Sequence, residues 1–123
     1  DTNIENNQRR LTEEDSCDKA VWLVKEAKRL GEVIFIGPPP VSDIQQNERI
    51  HRLSVRFQRC FTPFGISYLN VFPDLVEDAV WMESVRSGDG SHPGAQGYER
   101  LATCVLNWND WWFQPSSTLG QEV

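Results

Sequence analysis

Apolar residues along this chain follow two different periods, and the switches between them mark its elements. Cys17, Ala20, Val21, Val24 and Ala27 recur at helical spacing. Thr12 precedes this stripe with Asp15 three residues on, a capping-box-like start, and Glu13 and Glu14 fall in the first turn, where negative charge suits the helix dipole. Gly31 offers the C-terminal stop. Val33-Ile34-Phe35-Ile36 is then a continuous apolar run rich in β-branched residues, which after a helix reads as a strand buried on both faces of a parallel sheet. Gly37-Pro38-Pro39-Pro40 cannot extend the ladder, because three successive residues lack an amide hydrogen, and makes a stiff exit. Asp43 is placed to cap a second helix with apolar positions Ile50, Leu53, Phe57, Cys60 and Phe61, ended by Pro63-Phe64-Gly65. Ile66 to Phe72 reads as a second strand. Pro73-Asp74 opens a short helix containing Leu75, Val76, Ala79 and Val80. A turn holding Asp89 and His92 leads to a final helix with Ala95, Tyr98, Ala102, Val105 and Trp112 on one side. Asp1 to Arg10 is polar, Asn-rich and aperiodic, and reads as loop.

The order helix, strand, helix, strand, helix predicts an α/β fold: a parallel sheet with right-handed crossovers and helices on its faces. Two parallel strands make a poor sheet with an open edge, so the pattern predicts that an N-terminal part contributes the remaining strands. The chain opens on Asp1-Thr2-Asn3 without an initiator Met, in agreement with that expectation.

Composition narrows the partners. A chain of 123 residues falls in the size range of one domain, and 39% hydrophobic with 24% charged residues is ordinary for a globular protein. The net charge of −6 argues against a nucleic-acid backbone or an anionic membrane as partner, since both need a basic face. Lys25, Lys28 and Arg29 fall in the last turns of a helix, where cations suit the dipole. Cys17, Cys60 and Cys104 show no Cys-x-x-Cys pattern and lie on helical apolar stripes, which predicts buried thiols rather than a disulfide framework. No apolar run approaches a membrane span and no signal peptide is visible, which leaves a cytoplasmic location as the expectation.

Candidate chemistry concentrates in Asp89-Gly90-Ser91-His92-Pro93. A carboxylate three residues before an imidazole is the base half of a nucleophilic triad. Pro93 is a favoured first helical residue, and a helix N-terminus next to His92 disfavours the imidazolium, whereas Asp89 stabilises it once a proton is taken. The competing reading is a capped helix start in which Asp89 and His92 only hydrogen-bond backbone. In open α/β sheets, sites form beyond the C-terminal ends of the strands, where this turn is expected to lie.

Asp-x-x-His-Pro ahead of a helix bearing Gly97-Tyr98 resembles the last sequence block of the SGNH (GDSL-type) hydrolases, which are serine esterases and lipases. Val33 to Val41 resembles the strand and proline exit before that block, and Ser67 to Pro73 the following strand. Asp1-Thr2 resembles the tail of the family's Gly-x-Asn-Asp block, whose Asn donates to the oxyanion hole. The resemblance implies a three-layer α/β/α, flavodoxin-like fold of which residues 1–123 form the C-terminal portion. It implies ester hydrolysis, with His92 and Asp89 as catalytic residues and no metal or organic cofactor. It also implies that the nucleophilic serine lies on the missing N-terminal part. No Ser here stands in a Gly-Asp-Ser setting, and Ser91 is too close to His92 in sequence for the usual arrangement. The implied substrate is a small ester: an acetylated sugar, a short-chain ester or a lipid.

The rival from another class is a non-catalytic flavodoxin-like binding or interaction domain. A flavin site would call for a phosphate-cradling loop after an early strand, and a receiver domain for clustered acids at strand ends; neither is visible. His51 follows Arg49 on a helix without His or Cys partners, which gives zinc little support. Trp108, Trp111, Trp112 and Phe113 make an aromatic end to the last helix, best explained by core packing, with sugar stacking or a lipid interface as the sharper alternative.

Overall fold

A computed structural model of the chain describes residues 4–5, 8–9 and 12–113. Ile4–Glu5 (β1) and Gln8–Arg9 (β2) pair antiparallel where the sequence reads as loop. Two-residue strands without hydrophobic alternation leave no period to read. Helix α1 spans Glu13–Lys28, and the Thr12 hydroxyl accepts from the Asp15 amide at 3.0 Å as expected. Its end differs from expectation. Arg29 is the C-cap in right-handed conformation, so Gly31 lies beyond the helix and does not form its stop.

The parallel pair is Ile34–Ile36 (β3) and Ser67–Leu69 (β4), joined through α2, Ile44–Phe61. Asp43 caps α2 through the Gln46 amide at 2.8 Å. A 3₁₀ turn, Thr62–Phe64, and Gly65 at φ 66° close it. The chain then runs through α3 (Phe72–Val76), α4 (Ala79–Ser87) and α5 (Ala95–Leu106). The second strand is shorter than the apolar run. Asn70 accepts from the Phe72 amide through its side chain, which turns the chain early and passes Phe72 to α3. One expected helix is two, because Asp78 caps a fresh start through the Trp81 amide at 2.9 Å.

Successive residues of each strand point to opposite faces. Phe35 and Tyr68 join the cluster of Cys17, Val24, Leu53, Phe57, Phe61 and Ile66 between α1 and α2. Phe35 lies 4.7 Å from the Phe61 ring and 5.4 Å from that of Phe57. Leu69 instead packs with Val71, Leu75, Trp81, Met82 and Val85, joined by Leu101 and Cys104 of α5. Burial on both faces of β3 is not what the structure has: Ile34 is half-buried and Ile36 is 38% exposed. Aromatic rings cover one face of the strand pair closely; the other face of β3 is covered only in part.

The last helix also turns a different face inward. Gly97, Leu101 and Cys104 pack, whereas Tyr98 and Ala102 are exposed, a shift of one position from the expected stripe. Helix α5 stops at Leu106, so the aromatic run lies past it. There Trp111 and Trp112 stack at 6.3 Å, with Trp112 and Phe113 exposed. Among the described residues no helix is long and apolar enough to cross a membrane.

Candidate active site

The segment Asp89–His92 leaves α4 through a turn that its own backbone builds. The Gly88 and Gly90 amides both donate to the Val85 carbonyl, at 3.3 and 3.1 Å. Gly90 sits at φ 84°, where an L side chain is strained, and a Cβ there would lie 2.7 Å from the Ser42 hydroxyl. That closeness serves a tether: the amide and hydroxyl of Ser42 both donate to the Gly90 carbonyl, at 2.8 and 3.1 Å. Ser42 lies just past the proline exit of β3. The prolines are anchored in turn, since the Pro40 carbonyl accepts from the Trp81 indole at 3.0 Å. The turn is thereby tied to the chain leaving the C-terminal end of β3.

Asp89 uses both carboxylate oxygens. One accepts from the Ser91 and His92 amides at 2.8 and 2.7 Å, and the other faces His92 Nδ1 at 2.8 Å. The same side chain thus shapes the turn and orients the ring. The His92 ring, then the Ser91 and His92 amides, hold the Asp89 carboxyl well below the usual carboxylate range. Both side chains are open to solvent, His92 at 74% and Asp89 at 60%. With Nδ1 on the carboxylate, Nε2 is the ring atom that can accept a proton.

Two expectations about this turn change. Helix α5 begins at Ala95 with Gly94 as its N-cap, so Pro93 precedes the helix and its dipole starts farther from His92 than the sequence implies. The Gly94 amide is satisfied by Ser84 Oγ at 2.7 Å. Asp89 therefore caps its own turn and not the helix, which removes helix capping as its role. Gly97 explains the Gly-Tyr pair physically: a Cβ there would lie 2.3 Å from Pro93 Cβ and 3.0 Å from Ser84 Oγ. The absent side chain lets α5 close on α4 and on the proline that follows His92.

Ser42, Ser84 and Gly97 support the turn; the sequence singles out Gly97 only through the Gly-Tyr resemblance, and sequence reasoning missed Ser42 and Ser84. Their partners Gly90 and Gly94 are remote in sequence, and no local pattern announces them. Another polar cluster went unread: Ser54 bonds Tyr68 at 2.6 Å and Asn70 at 2.7 Å, and a buried Asn47 clasps the amide and carbonyl of Val41. His51 is exposed on α2, its ring 5.2 Å from that of Phe72, and takes no part in the turn. Ser91 is exposed, its amide committed to Asp89. A groove of about 390 Å³ runs between α2 and α4, bordered by Ser42, Ile44, His51, Phe72, Met82 and Arg86. Among the described residues no group of three or more His, Cys, Asp or Glu is set to hold a metal. No family model matches the chain, and no curated protein sequence matches it.

Proposed function

We propose that this chain is the C-terminal part of an SGNH-type serine hydrolase with a three-layer α/β/α fold, and that it supplies the base and its orienting acid. The observation that carries the reading is the Asp89 carboxylate set 2.8 Å from His92 Nδ1 while its other oxygen fixes the turn. A purely structural Asp needs the amide bonds alone; the second oxygen on an exposed imidazole is what a base requires. Packing of Tyr68 and Leu69 against different helix clusters supports helices on both faces of a larger sheet.

In this mechanism His92 Nε2 takes the proton of a serine contributed from outside these residues, and the serine oxygen attacks an ester carbonyl. Asp89 stabilises the imidazolium. The proton passes from Nε2 to the departing alkoxide, and a water molecule repeats the sequence to release the acid. Four serine hydroxyls among the described residues are engaged in the fold: Ser42 on Gly90, Ser54 on Tyr68 and Asn70, Ser84 on Gly94, and Ser87 on Glu83.

The test is ester turnover by the complete protein that carries this chain, with p-nitrophenyl acetate as substrate. His92→Ala should cost several orders of magnitude with the unfolding midpoint unchanged. His51→Ala should stay within a fewfold of the parent. A greater loss from His51→Ala than from His92→Ala, with both variants folded, overturns the reading and favours a binding domain in which the turn is only structural.

A further inference from the structure

A second pair of reactive side chains lies away from the Asp89 turn, between α1 and α2. The two helices run side by side in the same direction. Glu13 at the start of α1 pairs with Arg52 at 3.3 Å and Arg56 at 3.8 Å, and Lys28 at its end donates to the Phe64 carbonyl at 3.1 Å, just past α2. That register brings Cys17 of α1 beside Cys60 of α2, in one apolar cluster. Both are free thiols. Their exposures differ in a useful way. Cys17 is 3% exposed, whereas Cys60 is half-buried and borders an open groove of about 590 Å³ rimmed by Arg52, Arg56 and Arg59.

We infer that Cys17 and Cys60 are a dithiol–disulfide couple, an oxidative modification site at which hydrogen peroxide clamps α1 to α2. The inference is independent of any role for His92. Burial, and then the neighbouring Cys60 thiol, push the Cys17 thiol up to about 12, so the inner sulfur keeps its proton in the resting state. Cys60 reacts first because it is the sulfur open to the groove. Its sulfur attacks the peroxide O–O bond, forming the sulfenic acid, and the departing hydroxide takes the thiol proton and leaves as water. The Cys17 sulfur then attacks the Cys60 sulfur: the S–S bond forms, the S–O bond breaks, and the second hydroxide leaves as water with the Cys17 proton. Two thiols and one peroxide give one disulfide and two waters, the sulfurs losing the two electrons that the peroxide gains. Cys104 belongs to the other cluster, on α5, and is the internal control for a thiol outside the pair.

The experiment oxidises the folded, reduced complete protein with stoichiometric hydrogen peroxide, blocks remaining thiols, and maps peptides without reduction. The expected product is an intramolecular Cys17–Cys60 crosslink that dithiothreitol reverses, with Cys104 alkylated. The thermal midpoint of the oxidised form should be several degrees higher, since the link constrains the unfolded chain. Cys17→Ser should leave Cys60 as a sulfenic acid that dimedone traps, and Cys104→Ser should leave the crosslink intact. The peptide map of the parent does not depend on any variant folding. Recovery of Cys17 as an alkylated thiol beside an oxidised Cys60, or a crosslink through Cys104, overturns the inference.

Discussion

The α1–α2 side of the molecule and the Asp89–His92 turn are held by opposite means. Between α1 and α2, stability comes from exclusion of water: Phe61 is fully buried, and Phe35, Phe57 and Tyr68 gather round it at 4.7 to 5.9 Å. Around the turn, water is present and order comes from directed bonds. Asp89 spends its oxygens on two amides and a ring, Ser42 grips Gly90 twice, and Ser84 holds Gly94. In the proposed reaction, a base that must meet an ester cannot be buried, yet its ring must not wander. The polar tethers are compatible with both demands, leaving the His92 ring open to solvent while Asp89 holds its Nδ1.

Changes on the two sides should therefore differ in kind as well as in size. The largest loss of stability is expected from Phe61→Ala, about 3–5 kcal/mol, because the lost transfer energy is joined by a cavity that packed rings cannot fill. Urea unfolding reads it, and a loss under about 1 kcal/mol would mean that this cluster is not the core. Gly97→Ala comes next, at about 1–3 kcal/mol, since its Cβ must push against Pro93 and Ser84. Turnover should fall more than stability does, because Pro93 follows His92; equal losses would remove Gly97 from any part in holding the turn.

Asp89→Asn should barely move the urea midpoint, as the carboxylate is exposed and water screens its bonds. Ester turnover should drop, though less than for His92→Ala, because Ser42 and Ser84 still hold the loop. A turnover equal to the parent would detach Asp89 from the chemistry. The smallest effect is that of acid. A depressed Asp89 pKa contributes stability that is complete above the ordinary carboxylate value of 3.8 and is lost only as pH falls below it through the folded-state value. Carboxyl NMR should find the Asp89 midpoint below 3.8 in the parent and higher in His92→Ala. A parent midpoint at or above 3.8 would contradict the hydrogen-bonded geometry.

Much of the water-excluding side was legible in the sequence, because helical stripes and caps are local. Thr12 and Asp43 cap their helices where expected, and Ile50, Leu53, Phe57 and Phe61 are buried in register. The misreadings share a cause: a side chain acting against the apolar pattern. Asn70 ends β4 within an apolar run, and Asp78 restarts a helix that periodicity reads as continuous. Counting only apolar residues also put α5 one position out of phase, because its closest contact is Gly97, which has no side chain to count. The Asp89–His92 pair itself was legible because its two residues are three apart and on one turn. Its supports were not, since Ser42 and Gly90 meet only after the chain has folded, and the approach of Cys17 and Cys60 within one cluster was hidden for the same reason.

The central claim is that His92 activates a serine from outside these residues. Labelling of the complete protein with a fluorophosphonate, followed by peptide mapping, tests it most directly. The account predicts one labelled serine outside residues 1–123, with a labelling rate that collapses in folded His92→Ala. Stoichiometric labelling of a serine within this chain, or an unchanged rate in His92→Ala, would contradict it.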